Sequence, residues 1–586
     1  MRSAAFLLPA LALLPAALPA QRAARSDTSE ARAVFEKNLA AINDRDRAAY
    51  LSLYLESPLL AVNGPGGLAL GYAPFAAQRD TTWPDSLIAT DLELVPVRPG
   101  VVYGQYRYRV TQRGVTTLGT SERLFVKTAR GWRIAMSSAF PAPRGTHPAP
   151  VALVGATLVD GTGAPPIPDA AVVVKDGRVA CAGPRASCAV PTGTDTMDLH
   201  GLWVIPGLID AHVHFAQTGW VDGRPDALDL RARYPYERTV ADLEAHPERF
   251  FRTYVCSGVT GVFDVGGYPW SWGLRQRAEG DLMAPHVAAA GPLLSTVDHW
   301  INLPDEQQIL YVGTDSAARA AVRAHVARGT DAIKVWYIVR PGADTTQLKA
   351  VVHAAGDEAH RLGARLFVHA TGLWEAKDAL RAGADVLVHS VFDKPVDDEF
   401  IALAKERHVI YVPTLTVEDG YRQVAVRRFE PHYPLSCVDP ETLAKARSTD
   451  SVPPNQGADA VATRVDRILR DMATGVANLG AVFRAGITVA MGTDAGNPLT
   501  LHGPSVYWEM RKEQEAGLSP LQVLVTATRN GALAMGRTDI GTLEAGKLAD
   551  LVVLDADPTA DIGNVSRVRY VMRGGALTVP RLAAPR

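Results

Sequence analysis

At 586 residues the chain is too long for one ordinary domain and long enough for a large core with accessory units. Hydrophobic residues make up 47% and charged residues 21%, the balance of a globular protein rather than a disordered or membrane-embedded one. A net charge of −2 with no long basic run excludes nucleic acid as the main partner, because phosphate binding needs a basic surface.

The N-terminus reads as an export signal over residues 1–20. Arg2 supplies a minimal charged start, and residues 4–18 are almost wholly Ala, Leu, Phe and Pro. Cleavage after Ala20 is expected, although Leu18 departs from the small-residue preference three positions before the cut. The apolar run is short and broken by Pro9 and Pro15, and no later stretch has about 18 uninterrupted apolar residues, so no membrane partner is expected once the signal is removed. The mature chain is expected to be periplasmic or secreted.

Residues 27–140 read as a separate α+β unit. Ala31, Val34, Phe35, Leu39 and Ile42 fall on one helical stripe within 29–43, and a second helix covers 45–55. Strand-like runs follow at 101–111, 116–127 and 132–138, with turns at Arg113-Gly114 and Arg130-Gly131. Helices followed by a curved antiparallel sheet, ending in Gly131-Trp132-Arg133-Ile134, resemble the SnoaL-like (ketosteroid-isomerase-like) cone fold. No acid–base set stands out in it, and the unit is read as a docking or dimerisation module. Oligomeric state leaves no signature of its own; a homo-oligomer formed through this unit is what fold analogy offers.

A Pro-rich linker covers 141–150. Residues 151–205 then read as short strands at 152–159, 171–175, 178–182 and 196–198, punctuated by Gly and Pro. The same texture returns in 541–586, at 551–554 and 568–572, which suggests one small β-sandwich built from both flanks. There are four cysteines, none with zinc-finger spacing. Cys181 and Cys188 are expected to close a small disulfide loop if the compartment is oxidising, and Cys256 and Cys437 are expected to stay unpaired.

Between the flanks, residues 206–540 alternate strand runs with helical runs. The strand candidates are 207–213, 259–265, 286–290, 332–335, 365–368, 386–388, 410–412 and 488–491, with helices such as 314–328 and 373–382 between them. Eight β-then-α repeats predict an α/β fold, a (β/α)8 TIM-type barrel, with residues 418–457 as an inserted loop over the active face.

In such a barrel the chemistry sits at the C-terminal strand ends. There the chain places His212 and His214, His369, His389, and Asp494 within Gly492-Thr493-Asp494. A single strand-end His is more often a hydrogen-bonded structural residue. Four of them with an Asp closing the last strand point instead to a metal site, since imidazole and carboxylate suit divalent cations. Of the fifteen histidines, His286 begins its strand and therefore belongs to the opposite rim. Lys334, in the fourth strand, would be a costly lone ammonium inside the barrel. Either it pairs with a carboxylate such as Asp494, or CO2 converts it to an anionic carbamate that bridges two metal ions.

These residues resemble the amidohydrolase superfamily over about residues 150–580. Pro206-Gly-Leu-Ile-Asp-Ala-His-Val-His214 looks like that family's first-strand motif, Gly492-Thr-Asp-Ala-Gly496 like its eighth-strand motif, and the segment 541–558 like its return into the β-rich domain. Asp264-Val-Gly-Gly267 and Lys334 favour the imidazolonepropionase-like branch that includes Xaa-Pro dipeptidases (prolidases). Imidazolonepropionase itself, which is thought to use one metal and no carbamate, is the poorer match. The resemblance implies that His212, His214 and Asp494 bind a first divalent metal, His369 and His389 a second, and carbamylated Lys334 bridges them, with zinc the default ion. It also implies that a metal-bridged hydroxide cleaves an amide bond in a dipeptide or N-acyl amino acid, with Asp494 as general base.

Substrate contacts are less legible. Tyr337 and His502 lie in expected active-face loops, where either could hold a substrate carboxylate or carbonyl, and Trp270 and Trp272 either line a pocket or cover the barrel. The alternatives are a lactonase or cyclic-amide hydrolase using the same metals, and a small-ligand binding protein in which the barrel is only a scaffold.

Overall fold

The computed structural model describes residues 18–64, 67–77, 83–84, 86–112, 115–141, 150–192, 194–298, 308–453 and 457–578. Most of the expected signal peptide, the turn Arg113-Gly114 and most of the Pro-rich linker lie outside the described residues. Two compact units divide at Thr146/His147.

The first unit begins with helices α1 (Leu18–Asn43) and α2 (Arg47–Ser52). The stripe of α1 buries Ala31, Phe35 and Ile42, and Phe35 packs edge-on against Tyr106 at 4.7 Å. Strands β1 (Ala61–Gly64) and β2 (Gly67–Leu70), the short helix α3 (Tyr72–Ala76), and strands β3 (Ser86–Arg98), β4 (Val101–Gln112), β5 (Val115–Thr128) and β6 (Gly131–Pro141) follow. They form a six-stranded sheet in the order β2-β1-β6-β5-β4-β3, antiparallel except for β1 against β6. The unforeseen β3 is an edge strand. One of its long faces is solvated, as Val95 and Val97 are exposed, so its hydrophobic run carries no clean alternation.

In the second unit both flanks build one β-rich layer. Its strands are β7 (Val151–Leu158), β8 (Ile167–Lys175), β9 (Arg178–Pro184), β10 (Asp195–Asp198) and β11 (Trp203–Pro206). The eight-stranded sheet is completed by the three C-terminal strands 551–554, 568–573 and 576–578, and β11 runs antiparallel to 551–554. Successive residues face opposite sides. Val204 and Val553 enter the core of this layer, while Ile205, Val552 and Leu554 join the larger core under the helices.

Parallel strands form the middle: β12 (Leu208–Val213), β13 (Val259–Asp264), β14 (His286–Ala289), β15 (Leu293–Ser295), β16 (Ile309–Tyr311), β17 (Ile333–Trp336), β18 (Leu366–His369), β19 (Val386–Val388), β20 (Ile410–Val412) and β21 (Thr488–Val489). One sheet is β12-β13-β14 and the other β16-β15-β17-β18-β19-β20-β21. Backbone bonds bridge their ends. Ala211 donates to Met491 at 3.0 Å and Asp494 to His212 at 2.8 Å, so the first strand meets the segment after the last. Asp331, just before β17, donates to Ala289 of β14 at 3.2 Å. The strands are buried on both faces, as parallel strands covered by helices are. Ile209, Phe263, Phe367, Val388 and Val412 pack on one side and Leu208, Val262, Ile333, Val368 and Leu387 on the other.

The expected inserted loop is partly helical, with helices at Thr416–Ala425 and Pro440–Arg447. Asp439 caps the second, accepting from the Thr442 N–H at 2.9 Å. The cysteines also differ in part from expectation. Cys181–Cys188 is a disulfide, with Cα atoms 5.8 Å apart. Cys256 and Cys437, expected unpaired, form a second disulfide with Cα atoms 5.5 Å apart. A separation of 181 residues hides that pairing from any reading of local spacing. Among the described residues, no helix is long and apolar enough to cross a membrane.

Candidate metal centre

The strand ends deliver their side chains to one cavity of about 140 Å3, lined by His212, His214, Lys334, His369, His389 and Asp494 among others. His212, on β12, and His214, the first residue past its end, point the same way because extended backbone repeats every two residues. Their Nε2 atoms are 3.3 Å apart and lie 3.3 Å and 2.9 Å from Asp494 Oδ1. These three side chains form the tight group, with ligand atoms within 4.8 Å of one another. His389 Nδ1 is 3.9 Å from Asp494 Oδ2, and the His369 and His389 rings are 4.2 Å apart.

The supports fix which atoms face inward. His214 Nδ1 is 2.7 Å from the Gly266 carbonyl, a geometry that protonates Nδ1 and turns the Nε2 lone pair to the cavity. This is the use of Asp264-Val-Gly-Gly267. Asp264 accepts from the Gly266 and Phe215 N–H groups at 3.1 and 3.3 Å, and a Cβ on Gly266 would meet Leu293 at 2.7 Å. His389 Nδ1 lies 2.7 Å from Thr414 Oγ1. Beneath the site, Asp210 accepts from Thr493 N at 2.9 Å, Thr493 Oγ1 at 2.6 Å and His212 N at 3.3 Å, riveting the first strand to the last. Burial pushes the Asp210 carboxyl up to about 7 despite the bonds from Thr493.

His389 and Asp494 hold φ of +74° and +62°, left-handed values that are strained for residues with a Cβ and concentrate at functional sites. Gly496, at φ +110°, lets the chain pass against the His214 carbonyl.

Electrostatics favour a cation. Burial, joined by the Lys334 charge, holds the His212, His369 and His389 imidazoles well below their ordinary range, so they are neutral donors. Burial pushes the Lys334 ammonium down to about 7 against the pull of Asp494. Lys334 Nζ, His212 Nδ1 and Asp494 Oδ1 are buried without a hydrogen-bond partner among the described residues. Two imidazole lone pairs converging on one carboxylate oxygen repel one another unless a cation lies among them, so this donor set fits a divalent metal.

The sequence reading placed the two substrate candidates wrongly. Tyr337 is buried beside its strand and donates to Asp378 Oδ2 at 2.8 Å. His502 is buried, stacks on Phe250 at 4.0 Å, and lies with Nε2 3.1 Å from the His214 carbonyl. It supports the strand end and does not line the cavity. Trp270 and Trp272 also lie outside the lining. Among the lining residues that carry no expectation from the sequence are Gln217, Arg224, Gln308, Glu418, Tyr421 and Asn497. Arg224 pairs with Asp226 and donates to Asn497, to which Tyr421 also donates at 2.9 Å. Gln217, three past His214, and Asn497, three past Asp494, had a nearby motif to mark them.

The amidohydrolase family model matches residues 203–578. An imidazolonepropionase of Salinispora tropica is 24% identical over 429 residues, 70% of this chain and 92% of that protein. A solved Xaa-Pro dipeptidase with methionine bound in its active site shares 24% identity at a TM-score of 0.57, covering 74% of this chain and all of that one. A solved prolidase complexed with N-methylphosphonate-L-proline shares 23% identity at a TM-score of 0.57, covering 74% of this chain and all of that one. These neighbours share the fold, and theirs implies a TIM-type barrel with a β-rich domain.

Proposed function

The chain belongs to the amidohydrolase family, and from that premise we propose that this metal-dependent hydrolase cleaves an amide bond in a dipeptide, of the Xaa-Pro type, or in an N-acyl amino acid. The observation that carries the reading is the convergence of His212, His214 and Asp494 beside Lys334, His369 and His389 in one cavity. The solved neighbours named as prolidases support the substrate class.

His212, His214 and Asp494 would hold one divalent ion, zinc by default, and His369 and His389 would hold a second. Lys334, whose buried Nζ has no partner among the described residues, would add as the free amine to CO2 with release of a proton, and the carbamate so formed would supply an anionic oxygen ligand. Bound metal lowers the pKa of water and polarises a carbonyl. Asp494 takes the proton of the attacking water and passes it to the leaving nitrogen. The Lys334→Ala chain should lose at least half of its metal, read by elemental analysis of the purified protein; full stoichiometry would remove the carbamate.

Export of the chain belongs to the same reading, supported by the Cys256–Cys437 bond, which persists in oxidising compartments. The deciding experiment is a panel of Xaa-Pro dipeptides, N-acyl amino acids and lactones, with metal quantified on the same sample. Turnover of amides with metal bound is expected. Turnover of lactones alone would make the protein a lactonase, and a metal-free, inactive chain would favour a binding role.

A further inference from the structure

Charges around the cavity are answered unevenly. Arg224 faces Asp226, 2.9 Å from Nε and 2.8 Å from Nη2, and Asp494 sits between His212 and His214. Lys334 Nζ, also without a partner among the described residues, is assigned to the metal centre, which leaves Glu418 as the charge without an assigned counterpart. Its half-buried carboxylate lines the cavity, yet it makes no hydrogen bond or ion pair among the described residues. Trp336, Phe392 and Val417 line the same cavity and give it apolar surface. Burial and the Asp471 and Asp494 charges raise the carboxyl, while Arg467 and Arg464 oppose this from beyond ion-pair distance. A carboxylate turned to such a cavity is costly without a counter-charge, and a ligand can supply one.

Glu418 is also held firmly. It lies in the first turn of the helix Thr416–Ala425, whose N-terminal end is tied down by Glu509, which accepts from Leu415 N and Thr416 N at 2.8 Å each. Thr416 Oγ1 donates to the Thr493 carbonyl at 3.1 Å, beside Asp494. One turn on, Tyr421 donates to Asn497, whose amide donates to the Asp494 carbonyl at 3.1 Å. The helix therefore keeps Glu418 in register with Asp494.

We propose that Glu418 binds the protonated α-amino group of the substrate, so that the site takes dipeptides with a free N-terminus in preference to N-acylated amino acids. The proposal rests on the amide-hydrolase reading of the same site. In a dipeptide the α-ammonium stands two bonds from the scissile carbonyl carbon, so a fixed carboxylate near Asp494 is where it is met. In an N-acyl amino acid that cation is missing, and Glu418 stays buried and unanswered.

The test compares L-alanyl-L-proline with N-propionyl-L-proline, which differ only in the α-amino group, on the metal-loaded full chain and its Glu418→Gln variant. The wild type should favour the dipeptide about ten- to a hundredfold in kcat/KM, the worth of a charge-assisted hydrogen bond. The variant should lose that preference, mainly through KM. A preference that survives in Glu418→Gln, with both substrates slowed together, overturns the proposal and makes Glu418 part of a step common to both. If the wild type cleaves neither compound, the amide reading fails by itself. Calorimetric titration with L-alanine then decides Glu418: about tenfold weaker binding in the variant supports it, and equal binding overturns it.

Discussion

The proposed function gives Asp494 two duties that a single substitution can separate. Asn keeps the oxygen that faces His212 and His214 but accepts no proton, so Asp494→Asn should retain metal while kcat falls about a hundred- to ten-thousandfold. Turnover like wild type, with metal measured in the same preparation, would take the base role away from Asp494. At this scale His212, His214, His369, His389 and Asp494 were legible because each closes or closely follows an apolar strand run, and strand ends of one rim converge on the cavity. Tyr337 was misread because three residues past Lys334 looked like an open loop, whereas the chain turns it inward to Asp378. His502 was misread because its aromatic partners Phe250 and Phe215 are about 250 and 290 residues away in sequence. Arg224 and Glu418 bear no local pattern at all: a charge in a loop or on a helix faces solvent by default, and only packing turns it to a cavity.

Among the elements, the opposite rim has its own polar lock. His286, at the start of β14, is buried with Nδ1 2.6 Å from Glu279 and Nε2 2.9 Å from Asp550, just ahead of the C-terminal strand 551–554. The two carboxylates raise the imidazole against the burial that opposes them; His286 lowers Asp550, and with Arg573 brings Glu279 down to about 2. A raised His stabilises the fold fully below its unfolded pKa of about 6.5 and loses this as pH rises through its folded value, while the lowered acids stabilise above about pH 4 and lose this as pH falls. The lock is therefore strongest between about pH 4 and 6.5. Replacing His286 by Gln should cost about 3–5 kcal/mol there, as breaking a buried pair does. The gap in Tm between wild type and variant should narrow towards pH 9, and a gap independent of pH would mean that His286 stays neutral. Strand and helix positions in this unit were readable because parallel strands buried on both faces are continuous apolar runs. The helices Thr416–Ala425 and Pro440–Arg447 escape a reading of periodicity because they are only 10 and 8 residues long, too short for a 3.6-residue period to stand out.

For the molecule as a whole, the Cys256–Cys437 bond closes a loop of 181 residues. Reduction, or the Cys256→Ser/Cys437→Ser pair, should lower stability by about 3–5 kcal/mol by freeing the unfolded chain, seen as a lower urea midpoint. A midpoint indifferent to reductant would mean that the bond contributes nothing to the native state. The sequence by itself determined the alternation of parallel strands and helices, the union of both flanks in one β-rich layer, and the six residues, His212, His214, Lys334, His369, His389 and Asp494, that meet in one cavity. Each of these follows from local periodicity and from the rule that successive strands share a rim. Tertiary structure alone decided the disulfide between distant cysteines, the burial of Tyr337 and His502, and the presence of Arg224, Tyr421 and Glu418 on the cavity wall. Those depend on which distant surfaces meet, and a chain read in one dimension carries no distance between residues that only folding brings together.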